Sequence, residues 1–306
     1  MRPLTPYFTT RHSPPWPPQT SGLRLPGGTR PLMALPRRSA LAWLAGATLP
    51  WPAWAQADDK LAAAVNGLHR TPAYRLRDGA RHPLETLRFL GLKPSDTVIE
   101  LAPGGGWYTE ILAHYLREQG QLYAAHYASD DTAAGRRRAR AAFEARLANN
   151  PALYDRVRLG SLPQPPAWDR LDGIGLTGAA DAVLTFRNIH NWLEAGQLDQ
   201  SLRTFANALK PGGVFGVEEH RAAPGTPLAV MRQSGYLTEA LVIEHCQVAG
   251  LTLAARSEIN ANPRDTKDHA KGVWALPPTL SNGELDRDKY LAIGESDRFT
   301  HRYIKL

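Results

Sequence analysis

From residue 58 onward, short β-branched apolar runs alternate with longer segments whose apolar residues recur every three or four positions. That is the pattern of strands separated by helices. The clearest unit is Thr97-Val-Ile-Glu-Leu101, which has the length and branching of a buried strand. Ala102-Pro103-Gly104-Gly105-Gly106 follows, and then a helical pattern with Ile111, Leu112, Tyr115 and Leu116 on one face. Strand, glycine turn and helix form the opening of a nucleotide-binding α/β unit, because glycine lets backbone pass close to a ligand where a side chain would clash. Glu100 stands near the strand's carboxyl end, where such sheets bind their ligands.

The same reading predicts strands over 120–127, 157–159, 180–186, 214–220, 251–259 and 299–304, the last alternating as an edge strand does. It predicts helices over 58–68, 82–90, 135–147, 198–209 and 237–250, the 135–147 helix being arginine-rich and read as a solvated face. Between the first two lies 70–81, polar and broken by Pro72 and Gly79. Lys210-Pro-Gly-Gly213 closes one helix ahead of the fifth strand. Residues 260–297 show no clear periodicity and are too long for an ordinary loop, so they read as a substrate-covering, lid-like insertion. The alternation implies an α/β fold with a doubly wound, mostly parallel, Rossmann-like sheet.

Composition changes this picture mainly at the N-terminus. The chain has 306 residues, 43% of them hydrophobic, enough for one large domain over 58–306. Its formal charge of +7 suggests nucleic acid until the distribution is considered. Residues 1–57 carry Arg2, Arg11, Arg24, Arg30, Arg37 and Arg38, no Lys and no acid. Removing those six from the 36 basic residues leaves 30 against 29 acids, a net +1 for the body. A near-neutral body gives no electrostatic case for binding DNA or RNA.

Arg37-Arg38 precede an apolar run over 40–49, and Ala53-Trp-Ala55 and Ala55-Gln-Ala57 both fit a small-x-small cleavage site. The expectation is an unstructured extension plus export signal over 1–57, a mature start between 56 and 58, and a periplasmic address. A Sec signal and a twin-arginine signal are both open. The run is too short and too proline-interrupted for a stable membrane span. Residues 1–32 are proline-rich and acid-free, so Met33 competes with Met1 as the true start. One cysteine, Cys246, excludes an internal disulfide and falls in an apolar helical pattern, where packing suits it better than nucleophilic chemistry.

Glu100-Leu-Ala-Pro-Gly-Gly-Gly106 resembles motif I of the class I S-adenosylmethionine (SAM)-dependent methyltransferases, an acid followed by G-x-G-x-G, with Ala102 in place of the first glycine. Lys210-Pro-Gly-Gly213 resembles the turn before strand five of that fold. The strips Arg77-Asp78-x-x-Arg81-x-Pro83-x-Glu85 and Gly294-Glu-Ser-Asp-Arg-Phe-Thr300 resemble a group of exported bacterial predicted methyltransferases of unknown substrate. The resemblance implies seven strands in the order 3-2-1-4-5-7-6 with the last antiparallel, and SAM as cofactor. It implies a cofactor site at Glu100, Ala102, Pro103, Gly104, Gly105 and Gly106, with Arg187 and Asn188 after strand four. His126 takes roughly the place where many relatives carry a ribose-binding acid, with Asp130 and Asp131 just beyond. Ser161 lies in the loop that contacts adenine in the family.

Methyl transfer requires alignment of nucleophile and methyl, and removal of a proton when the nucleophile is a hydroxyl or thiol. His190, four residues past the fourth strand, is the first candidate for that base, since imidazole titrates near neutrality. Asn188 could instead cap the helix that starts there. Glu219 and His220, ending the fifth strand, form a second candidate pair, and Asp268-His269 could close over the site. Histidines and carboxylates are metal-ligand types, but no compact spacing such as H-E-x-x-H occurs, so no metal is expected. The leading expectation is methyl transfer to an O, N or S nucleophile of a small molecule. The alternative is a methyltransferase-like small-ligand-binding protein of the cell envelope that does not turn over. A nucleic-acid methyltransferase is disfavoured by the neutral body, and by Arg187-Asn-Ile-His190 standing where amino-methylating enzymes carry N/D-P-P-Y/F. The methyl acceptor and the oligomeric state are left open.

Overall fold

The computed structural model describes residues 53–164 and 167–306. The arginine pair, the apolar run and the alternative start lie outside them. The strands are β1 (Thr97–Leu101), β2 (Gln121–His126), β3 (Arg158–Ser161), β4 (Ala180–Phe186), β5 (Leu209–His220), β6 (Leu251–Ser257) and β7 (Arg298–Lys305). The helices are α1 (Ala53–Asn66), α2 (Pro72–Arg75), α3 (Asp78–Arg81), α4 (Pro83–Leu90), α5 (Trp107–Leu116) and α6 (Ala134–Asn149). They continue with α7 (Pro151–Tyr154), α8 (Ile189–Glu194), α9 (Leu198–Ala208), α10 (Leu228–Ser234), α11 (Glu239–Val248) and α12 (Arg287–Ile293). One sheet holds all seven strands in the order β3-β2-β1-β4-β5-β7-β6. β1 pairs in parallel with β2 and β4, β2 with β3, and β4 with β5, while β7 runs antiparallel to both β5 and β6. This is the order and direction that the class I resemblance implies.

Pleating explains the two-sided core. Along β1, Val98 joins Leu61, Leu87, Leu90 and Ile111 under α1, α4 and α5, while Ile99 joins Phe205, Phe215 and Val242 under α9 and α11. β4 does the same with Leu184 and Val183. Both faces are covered, as a parallel sheet requires. Cys246 is fully buried in the second layer, and burial pushes its thiol up to about 12.

Three local expectations are corrected. β7 is interior rather than an edge: it sits between β5 and β6, and Phe299, His301 and Tyr303 are all buried. Its polar alternation is satisfied internally, with His301 Nε2 2.9 Å from Glu239 Oε2. Lys210-Pro-Gly-Gly213 does not precede β5 but falls inside it as an irregularity, between Leu209, paired with Ala180, and Val214, paired with Ala182. Third, 70–81 is not merely a broken polar stretch. It folds into α2 and α3 with Arg70 and Arg81 buried, and Arg70 Nη2 pairs with Asp78 Oδ1 at 2.9 Å. The 135–147 helix is largely solvated as read, except that Arg140 turns inward to the carbonyls of Tyr127 (2.9 Å) and Gly160 (3.0 Å). No helix among the described residues is long and apolar enough to cross a membrane.

Candidate active site

The loop after β1 is held in left-handed backbone. Ala102 has φ 47°, Gly104 59° and Gly106 85°. An L-residue there costs about 1–2 kcal/mol, so Ala102 keeps the conformation that a first glycine would take freely. Its N–H donates to the Ala125 carbonyl at 2.8 Å, which ties the loop to β2. A Cβ on Gly104 would meet no atom within 4 Å, whereas one on Gly106 would meet Phe143 at 3.2 Å and Arg146 at 3.3 Å. A side chain on Gly106 would press Phe143 and Arg146, whereas Gly104 borders open space.

That space is one of two cavities at the carboxyl ends of the strands. The first, of about 300 Å³, is walled by the glycine loop, Glu100, Tyr108, Arg187 and the α2–α3 strip with Tyr74, Arg77 and Arg81. The second, of about 600 Å³, is walled by Tyr127, Asp130 and Asp131 after β2, Gln164 after β3, and Trp168 and Trp192. Ala102 and Asn188 belong to both. The first presents arginines, the second acids and aromatic rings, and the two adjoin at Ala102 and Asn188. The strip that walls the first cavity is fastened to the loop: the Tyr74 hydroxyl donates to the Gly105 carbonyl (2.7 Å), and Trp107 Nε1 donates to the Tyr74 carbonyl (3.0 Å).

Glu100 is buried, and burial pushes its carboxyl up to about 7 despite the Thr109 hydroxyl donating to it at 2.6 Å. Tyr108 stacks on Phe186 with centroids 3.6 Å apart and its hydroxyl reaches Glu218 Oε2 at 3.2 Å. His126 does not line either cavity. Its Nδ1 accepts from the Tyr127 N–H at 2.8 Å and its Nε2 lies 3.3 Å from the Gly104 carbonyl, so it braces the loop from behind. Burial lowers its imidazole to about 4, against the opposing hydrogen bond to Gly104, and leaves it neutral. Asp130 and Asp131 stand in the wall of the second cavity instead, with Thr132, Arg136 and Gln164. Ser161 is likewise set back, its hydroxyl 3.3 Å from Arg140 Nη1, and the neighbouring Leu162, Pro163 and Gln164 line the cavity instead.

Beyond β4, Arg187 is left-handed (φ 63°) and its Nη1 pairs with Glu218 Oε1 at 2.7 Å. Asn188 starts α8 without a side-chain cap bond; its Nδ2 reaches the Phe186 carbonyl at 3.1 Å. The cap comes from β5: Glu219 Oε2 accepts from the Ile189 N–H (2.6 Å) and the His190 N–H (3.3 Å). Glu219 Oε1 accepts from the His220 N–H (2.9 Å) and lies 3.0 Å from His190 Nδ1. Glu219 accepts three N–H bonds, so in the neutral ring of His190 the hydrogen belongs on Nδ1, facing Glu219, and the lone pair on Nε2. His220 packs on His190 with centroids 5.2 Å apart, and its Nδ1 is 2.6 Å from Ser296 Oγ. Burial lowers the His220 imidazole well below its usual range, with His190, Arg187, Arg298 and Arg81 adding to the effect.

The fold therefore brings His190, Glu219 and His220 together, with one ligand-type atom from each within 4.8 Å of the others. Two features make this a poor cation site. Glu219's oxygens are already engaged by N–H donors, and Arg187, Arg298 and Arg81 act on His220 as positive charges, which repel a metal ion. None of the three residues lines either cavity, and His190 is 6% exposed. Asp268-His269 does not close over the site as a pair. His269 is buried against Asp265 (2.9 Å) while the Asp268 side chain is 81% exposed.

The group that residue types alone did not reveal is a buried ion cluster. Glu218 Oε1 pairs with Arg187 and with Arg298 Nη1 (2.9 Å). Glu295 pairs with Arg77 Nε (2.8 Å), Arg81 Nε (3.0 Å) and Arg298 Nη1 (3.2 Å). The signal was present in the two strips 77–85 and 294–300, which lie more than 200 positions apart and meet here.

No protein-family model matches this chain, and no curated protein matches it. The chain is similar to several solved structures. One is a SAM-dependent methyltransferase from Aquifex aeolicus, at 15% identity over 81% of this chain and 98% of that one, with TM-score 0.48. A second is geranyl diphosphate methyltransferase in complex with SAM, at 14% identity over 80% and 95%, with TM-score 0.46. A third is the glycopeptide N-methyltransferase MtfA, at 17% identity over 77% and 100%, with TM-score 0.45.

Proposed function

We propose that this chain binds SAM and transfers its methyl group to a small-molecule nucleophile. The observation that carries the reading is the pair of cavities joined at Ala102 and Asn188 across the carboxyl ends of β1 and β4. The residues present suit such a ligand. Asp130 and Asp131 are acceptors for ribose hydroxyls, Gly104 leaves space for close approach, and Glu100 suits an ammonium. When bound, the sulfonium supplies an electrophilic methyl group. The chain's own part is to hold the reactants in line and to take a proton. His190 is assigned the proton at Nε2, with Glu219 fixing the tautomer through Nδ1 in the manner of other acid–histidine pairs.

The N-terminal sequence supports a periplasmic address for the mature chain. Cleavage after Ala57 falls within α1, and Leu61, Ala64 and Val65, which enter the core, follow that point.

The test has two parts. Calorimetry and native mass spectrometry of the mature chain should show S-adenosylhomocysteine binding with one site. His190→Ala should leave that affinity nearly unchanged and lower turnover by about 10²–10⁴-fold. Wild-type turnover in this variant ends the assignment of the base. The seclusion of His190 from both cavities supports a second reading, a binding protein without turnover. Tight S-adenosylhomocysteine binding, with no methyl transfer to any acceptor in phenol, thiol and carboxylate panels, would favour it.

A further inference from the structure

The ion cluster beside the first cavity is not neutral. Arg77, Arg81, Arg187 and Arg298 face two carboxylates, Glu218 and Glu295, a surplus of two positive charges. Glu218 is fully buried and Glu295 is 8% exposed, so water screens the surplus poorly. Arg77 Nη2 is buried with no hydrogen-bond partner, and so is Arg298 Nε. Burial lowers the Arg81 guanidinium to about 9, with Arg187 adding to the shift and Glu295 opposing it. Three of the four arginines, Arg77, Arg81 and Arg187, line the cavity itself.

Buried cations without enough partners call for an anion. The cofactor proposed above does not meet that demand. SAM carries one carboxylate but also an ammonium and a sulfonium, so it enters with a net positive charge. Even with Glu100 ionised, the loaded site would keep its surplus. We propose that the methyl acceptor is an organic acid, and that its carboxylate is held by the free guanidinium donors of Arg187 and its neighbours Arg77 and Arg81. Arg187 is the pivot because it stands between the cavity and α8, three residues before His190. The proposal rests on the SAM reading for the acceptor's role, while the anion site itself rests on the cluster.

The carboxylate that fills the cluster has two possible sources, the acceptor or the cofactor's own amino-acid tail, and the experiment separates them. Binding of benzoate and of its neutral isostere benzamide is measured at constant ionic strength, with S-adenosylhomocysteine saturating. The expected result is benzoate binding about tenfold or more tighter than benzamide, the scale of a charged hydrogen bond. Arg187→Gln should erase that preference at a concentration of S-adenosylhomocysteine that saturates the variant. Arg77→Gln, at a more exposed position, guards against a folding defect and should reduce the preference. Equal binding of acid and amide overturns the proposal. So does a preference that disappears when S-adenosylhomocysteine is added, with Arg187→Gln weakening S-adenosylhomocysteine but not 5′-methylthioadenosine, because the tail then fills the cluster. Failure of S-adenosylhomocysteine to bind at all strikes the cofactor reading instead. The acid–amide comparison on the free protein then still decides the anion site.

Discussion

Glu100 shows how one buried residue makes stability and binding depend on pH. Burial raises its carboxyl from 4.5 to about 7. A carboxyl whose folded value lies above its unfolded value favours the fold below the unfolded value, and that advantage is lost as pH rises through the folded one. The wild type should therefore lose stability between pH 4.5 and 7, by up to about 3 kcal/mol. Glu100→Gln removes the titration. The variant should be more stable than wild type at pH 8 and should lose that advantage at pH 4, in urea melts at the two values. A bound ammonium would favour the ionised form, so S-adenosylhomocysteine affinity should climb with pH through about 7 in the wild type and stay flat in the variant. A variant less stable at both pH values would mean that Glu100 is already ionised and partnered without ligand.

At the scale of elements, α8 depends on a residue from another strand. Asn188 is the residue type that caps helices, yet Glu219 makes the bonds, accepting from the Ile189 and His190 N–H groups and also holding His190 Nδ1. Glu219→Ala should cost about 2–4 kcal/mol, from a lost cap plus buried donors left unpaired. Asn188→Ala should cost distinctly less, because its side chain caps nothing. Equal losses in thermal or chemical melts would refute the assignment of the cap. The contrast marks what a sequence can carry. β1, the glycine loop, α5 and β4 were legible because each is a local pattern: an apolar run, a left-handed turn, a periodic face. So was the gathering of His190, Glu219 and His220, since the ends of adjacent parallel strands meet. The alternation of β7 mimics an edge although the strand order that the resemblance implies puts it inside, and its buried histidine is satisfied by Glu239, 62 positions away. His126 matched the position of a ribose ligand, but its ring nitrogens turn to the backbone of Tyr127 and Gly104, which spacing does not encode.

Across the whole molecule, the ion cluster joins parts of the chain that share no secondary structure. Glu295 lies just before β7, Arg77 and Arg81 lie in and beside α3, and Arg298 connects both to Glu218 in the middle of the sheet. Arg298 also donates to the Ala80 carbonyl, fixing the strip that walls the first cavity. Burial alone would raise Glu295, but Arg81, Arg298, Arg187 and Arg77 together outweigh it and hold the carboxyl near 2. A carboxyl depressed from 4.5 contributes stability that is complete above that pH and lost as pH falls toward 2. Glu295→Gln should therefore destabilise the fold at pH 7 by about 2–3 kcal/mol, and the gap to wild type should close between pH 4.5 and about 2. Because the lost partner anchors α3, hydrogen exchange should speed up over residues 72–81 at pH 7 while the amides of β1 and β4 keep their protection. The loosened wall should also weaken ligands of the first cavity more than those of the second. A gap that persists unchanged at low pH would show that Glu295 acts through packing rather than charge. Unchanged exchange over 72–81 would show that Arg298 and the Tyr74–Trp107 contacts hold the strip without it.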